Sequence, residues 1–106
     1  VEITEQDVQD MRNPLLRDLL GGYLDIALNR RRTAMALYDP VAAAALVKPE
    51  LFDFAPAQIT VELAGQHTRG RTVVDQRVPQ SANAQIVQDL NAPAVKTLCL
   101  SALANP

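Results

Sequence analysis

Asp39 stands between Tyr38 and Pro40, at the mouth of the apolar run "VAAAALV". Two chemistries suit an acid in that place. Asp followed by Pro reads as a helix N-cap with proline at the first helical position, where its missing N–H costs nothing. A carboxylate at the rim of a core can equally hold a metal ion, because hard cations take oxygen ligands. The residue types leave both readings open. The cationic run Arg30, Arg31 and Arg32 is too short to track a nucleic-acid backbone and reads as a solvated turn or joint. His67, the only histidine, reads as a solvated loop residue, and the lone Cys99 in "VKTLCLSAL" as a buried, inert thiol.

Helices must position the first of these groups and strands the later ones. Thr4 with Asp7 three positions on is a capping-box variant that predicts a helix over Thr4 to Arg12. Asn13 and Pro14 restart the chain as N-cap and first helical residue. Leu15, Leu16, Leu19, Leu20, Tyr23, Leu24, Ile26, Ala27 and Leu28 then recur at spacings of three and four, giving a second helix that ends near Asn29. Gly21 and Gly22 weaken it by about 1 kcal/mol each relative to alanine and allow close packing or a bend. A loop over Arg30 to Thr33 leads to a third helix, Val41 to Val47, begun by Asp39 and Pro40. That helix has no polar face, which predicts burial on every side.

Past Pro49 the period changes. "QITVELAG" alternates Ile59, Val61 and Leu63 against Thr60 and Glu62, the pattern of a strand with one buried face. "GRTVVDQRV" supplies a second strand through Thr72, Val73 and Val74, with Gly65 to Gly70 as the hairpin connection. After the turn-rich "PQSAN", "AQIVQDL" reads as a short third strand. A last helix starts at Asn91 as N-cap, with Val95, Leu98, Cys99, Ala102 and Leu103 on one face.

Composition bounds the reading. The 106 residues, 48% of them apolar, suit one domain or part of one. A net charge of −2 with interspersed signs argues against nucleic acid. One cysteine makes no intramolecular disulfide. No stretch reaches the roughly 18 to 20 apolar residues of a membrane span and no signal peptide opens the chain, so a soluble, cytoplasmic protein is expected. Two or three strands make a poor sheet alone. With an all-apolar helix beside them, they predict a core finished by another segment of a longer protein or by a partner chain.

Two blocks carry a resemblance that extends over nearly the whole sequence. "LYDPVAAAALVKPELF" and "VELAGQHTRGRTVVD", preceded by "ITEQDVQDMR" and "NPLLRDLLGGYLDIAL" and followed by "NAQIVQDLNAPAVKTLCLSAL", are similar in order and spacing to the C-terminal part of the inosine-uridine preferring nucleoside hydrolases. The resemblance implies an α/β fold: the C-terminal portion of the nucleoside hydrolase fold, incomplete without its N-terminal portion, with residues 1–106 as one part of a single domain.

It also implies calcium-assisted hydrolysis of the N-glycosidic bond of a ribonucleoside to ribose and free base, through an oxocarbenium-like ribosyl species. Asp39 matches the family's late metal-binding aspartate. Many members carry a proton-donating histidine where this chain has Tyr38; a phenol, with a pKa of about 10, cannot become a cation and would be a weaker general acid. The resemblance places Arg30 to Arg32 in a mobile element that flanks the site and contacts the base, with Asn29 and Arg30 as the substrate-binding residues it implies. Arg69 and Gly70 read as turn and strand-pairing residues without a catalytic role.

The family's aspartate cluster near its N-terminus has no counterpart among these residues, and one carboxylate is a poor cage for an ion that takes 6 to 8 oxygens. The expected partners are a ribonucleoside, the N-terminal portion of the same enzyme and further copies of the chain, with Ca2+ as cofactor and neither nucleic acid nor membrane. The competing reading is a truncated, non-enzymatic module kept as a binding or oligomerisation surface.

Overall fold

The computed structural model describes residues 1–77 and 79–104; Val78, at the end of the predicted second strand segment, lies outside them. The chain forms two units, one of Val1–Leu51 with the C-terminal helix, the other of Phe52–Leu90.

The helical unit begins with β1 (Glu2–Ile3) and α1 (Glu5–Gln9). Thr4 caps α1 through the expected reciprocal box: its Oγ1 accepts from the Asp7 N–H, and the Asp7 carboxylate accepts from the Thr4 N–H at 2.7 Å. The helix stops at Gln9, short of the expected Arg12, with Asp10 as its C-cap. Next comes α2 (Pro14–Asn29), which starts as read, the Asn13 side chain accepting from the N–H groups of Leu15 and Leu16. β2 (Met35–Ala36) pairs antiparallel with β1, Ile3 facing Met35, a ladder too short to leave a period in the sequence. α3 (Asp39–Val47) and α4 (Ala92–Ala104) complete the unit.

At the junction with α4 the Asn91 N–H donates to the Leu51 carbonyl at 2.9 Å. Asn91 caps α4 as expected, its side chain accepting from Ala94 N–H at 3.2 Å. The core is small: Ile3 and Val95 are wholly buried, joined by Val8, Leu24, Leu37, Ala44 and Cys99.

An ion pair ties α4 to α1, Lys96 Nζ lying 2.6 Å from Asp7 Oδ2. Burial opposes ionisation of Asp7, yet the hydrogen bonds from Lys96 and Thr4 outweigh it and hold the carboxyl below its ordinary value. A folded value below the unfolded one stabilises the fold above the unfolded pKa of about 4, and that stabilisation is lost as pH falls through the folded value. Lys96→Met should therefore cost about 0.5–1 kcal/mol at pH 7. Urea melts should show this difference shrinking below about pH 4.

The second unit is a three-stranded antiparallel sheet in the order β4, β3, β5, formed by β3 (Phe52–Val61), β4 (Thr72–Asp75) and β5 (Ala84–Leu90). β3 begins six residues earlier than the alternation predicted and runs through Pro56. Here Pro56 pairs only with Gln85 of β5, while β4 joins β3 from Gln58 onward, so its missing N–H takes no ladder bond away. Just before β5 begins, the Asn83 side chain substitutes for a strand: its Oδ1 accepts from Ile59 N–H at 2.8 Å and its Nδ2 donates to the Ile59 carbonyl at 2.9 Å.

The hairpin connection forms as expected. The Glu62 carboxylate accepts from the Ala64 and Gly65 N–H groups, which lowers its pKa. Gly70 holds φ +85°, and a Cβ on Gly65 would collide with Thr68 Oγ1. These contacts account for "ELAGQHTRG" as turn architecture, and no ion pair among the described residues engages Arg69.

Two burial expectations fail for one reason. Leu63 is 76% exposed and lies beyond β3, and Val61, Val73 and Val74 are half exposed. On α3 only Ala44 is buried, with Leu46 86% exposed. The apolar patterns are real, but these residues do not supply the surfaces that would cover them.

Candidate functional site

The segment ahead of Asp39 is held from the N-terminus. Beyond the β1–β2 pair, the Leu37 N–H donates to the Val1 carbonyl at 3.0 Å, and Leu37 is buried. The chain then turns at Tyr38, whose carbonyl accepts from the N–H groups of Val41 and Ala42. Tyr38 is thus the N-cap of α3 by its backbone alone, with no side-chain capping bond. Asp39 is the first residue of the helix and not its cap, which corrects the architectural reading of "YDP". Its carboxylate is exposed and makes no hydrogen bond among the described residues, at a helix end where the backbone dipole favours negative charge. From behind, α4 steadies this turn, Cys99 Sγ lying 3.6 Å from the Pro40 carbonyl oxygen. Burial pushes the Cys99 thiol up in pKa, in keeping with the inert role read for it.

Arg30 to Arg32 close α2 in a Schellman turn. The Arg31 N–H reaches the Leu28 carbonyl and the Arg32 N–H the Ala27 carbonyl, with Arg31 at φ +60°. Arginine occupies the left-handed position where glycine is usual, so the segment is an ordered helix end and not a loose joint.

These elements surround an open cleft of about 600 Å³. Its polar lining is Tyr23, Arg30, Arg32, Tyr38 and Asp39, over an apolar wall that includes Leu20, Ile26 and Met35. Of the residues expected from sequence, Tyr38, Asp39 and Arg30 come together here. Asn29 sits on the last turn of α2, outside the lining. Arg32, from the same expected segment, also lines the cleft, whereas sequence reasoning missed Tyr23. Tyr23 was counted in the apolar stripe of α2, but it is 66% exposed; a phenol among aliphatic residues was the available signal. His67 lies in the turn of the sheet unit.

Among the described residues no group of three or more His, Cys, Asp or Glu side chains gathers to hold a metal. Asp39 can offer one uncommitted carboxylate. It fits a calcium site as a single ligand among the 6 to 8 oxygens such an ion takes, not as a cage. No described helix is long and apolar enough to cross a membrane.

Residues 1–97 match the sequence profile of the inosine-uridine preferring nucleoside hydrolase family. The non-specific ribonucleoside hydrolase RihC of Salmonella paratyphi A is 44% identical over 62 residues, covering 57% of this chain and 20% of that protein. Its counterpart in Salmonella typhimurium is 45% identical over the same length. Among solved structures, the purine-preferring ribonucleoside hydrolase from Gardnerella vaginalis superposes with a TM-score of 0.81 at 22% identity, over 98% of this chain and 36% of its own. A plant nucleoside hydrolase, PpNRh1, gives 0.80 at 20% identity, over 100% and 38%. The chain thus has part of the nucleoside hydrolase fold, spanning little more than a third of each solved structure.

Proposed function

We propose, from the premise that the chain belongs to the inosine-uridine preferring nucleoside hydrolase family, that it is the C-terminal portion of a calcium-dependent enzyme. The reaction is cleavage of the N-glycosidic bond of a ribonucleoside by water, giving ribose and free base. One observation carries the assignment: Asp39 lines the cleft shared with Tyr38 and Arg30, with a carboxylate that capping does not use.

In this reading Asp39 is one ligand of the calcium ion, held at the rim of the cleft by the first turn of α3. When bound, such an ion lowers the pKa of its water and anchors sugar hydroxyls. Tyr38 donates a hydrogen bond to the departing base, a weaker assistance than a cationic acid would give. Arg30 contacts the base from the α2 end, and Asn29 is a further substrate contact once the rest of the protein is present.

The N-terminal portion supplies the remaining ligands and covers the apolar faces left open. A groove between α3 and α4, lined by Ala43, Val47, Leu98 and Leu103, and the exposed Leu46 support this. Alone, residues 1–106 do not cleave nucleosides. The completed enzyme works in the cytoplasm, in nucleoside salvage, as an assembly of identical copies.

The test is release of reducing sugar from inosine and uridine by the full-length protein. Excess calcium chelator should abolish at least nine-tenths of the activity and added Ca2+ should restore it. Activity indifferent to chelation would overturn the calcium assignment, and no cleavage of either nucleoside would overturn the hydrolase reading.

A further inference from the structure

The cleft has an uneven distribution of charge that hydrolysis of a neutral nucleoside does not require. Arg30 and Arg32 line it together, and Arg31 between them holds the left-handed conformation of the turn. No ion pair among the described residues engages any of the three. The lining carboxylate is Asp39, and the other polar side chains are the phenols of Tyr23 and Tyr38. Among the described residues no imidazole lines the cleft, and a guanidinium stays protonated. These residues offer hydrogen bonds and fixed positive charge to whatever occupies the cleft.

Under the nucleoside hydrolase reading the base departs into this cleft, where two guanidinium groups favour a base that already bears negative charge. A planar fork of N–H donors matches a carboxylate in particular, giving charge-assisted bonds that are shorter and stronger than neutral ones. Such contacts would hold the base and stabilise the electron density it gains as the bond breaks.

Resting on the nucleoside hydrolase reading, we infer that Arg30 and Arg32 select ribonucleosides whose base carries a carboxylate. The reaction stays an ordinary hydrolysis. The C1′–N bond breaks with its electron pair passing to the base nitrogen, water adds its hydroxyl to C1′, and the remaining water proton goes to the base or to solvent.

The experiment compares uridine, uridine 6-carboxylate and uridine 5′-monophosphate as substrates of the full-length enzyme. The kcat/KM for the 6-carboxylate should exceed that for uridine about tenfold or more, the scale of one charge-assisted hydrogen bond. In the R30Q/R32Q double variant that ratio should collapse toward one, and R30K/R32K should keep part of it. The ratio within each variant is the readout, so a general loss of folding cannot imitate the result. A wild-type enzyme that cleaves uridine as well as or better than its 6-carboxylate overturns the inference and leaves the hydrolase reading standing. A preference for the 5′-monophosphate instead would place the arginines at a sugar-borne phosphate and also overturn it. Failure to cleave any of the three, or inosine as a fourth substrate, overturns both.

Discussion

Asp39→Asn in the full-length protein should lower kcat/KM for inosine on the order of 10²–10³-fold, the usual cost of deleting one preorganised charge from a reaction centre. The fold should scarcely notice. No capping bond is lost, because Tyr38 and not Asp39 is the N-cap, and no hydrogen bond to the carboxylate exists among the described residues. What remains is the interaction of its charge with the helix dipole, about 0.3–1 kcal/mol. Asparagine preserves the shape of the side chain and removes only the charge, so calcium affinity by titration calorimetry should fall alongside activity. A capping role predicts the opposite pattern: about 0.5–2 kcal/mol of stability lost on truncation to alanine, with turnover retained. Measuring kcat/KM, calcium affinity and thermal midpoint on the Asn and Ala variants separates the two. Undiminished turnover in both would remove Asp39 from the site.

What the sequence made legible follows from the range of the interactions involved. Caps are local, and Thr4 with Asp7, Asn13 with Leu15 and Leu16, and Asn91 with Ala94 all act where their spacing said. Proline at the start of α3 was equally readable, yet its neighbour's role was not. "Asp-Pro" fits a cap at Asp39 or a first-turn acid one residue later in the helix, and only backbone geometry at Tyr38 decides between them.

The β1–β2 ladder was invisible because two residues per strand carry no alternation. The buried faces expected on α3 and around Val61 were legible as apolar pattern, but pattern records what a surface needs and not whether its cover belongs to the same chain. The cleft illustrates the same limit. Tyr23 and Arg32 join Tyr38 only through the packing of α2 beside β2, a relation that sequence spacing does not encode.

Ile3→Ala should be the most damaging of the conservative core truncations, with an expected cost of about 2–5 kcal/mol. Ile3 is wholly buried although it sits in a strand of only two residues. Its burial anchors the ladder with Met35, and the adjoining bond from Leu37 N–H to the Val1 carbonyl extends that hold to the residue before Tyr38. Few backbone bonds support this short ladder, so its persistence depends on the apolar contact that Ile3 makes.

Loss of that contact should free the Met35–Leu37 segment before it unfolds anything else, and exchange of the Leu37 amide with deuterium should accelerate more than that of amides within α2. Activity should fall as well, since displacing a reacting group by about 1 Å can cost 10²-fold. Ile3→Val, which leaves most of the side chain, should cost about 0.5–1.5 kcal/mol and keep Leu37 protected. If the alanine variant instead melts within 1 kcal/mol of the parent with Leu37 exchange unchanged, β1 is an accessory strand, and the placement of Tyr38 and Asp39 depends on α3 and α4 alone.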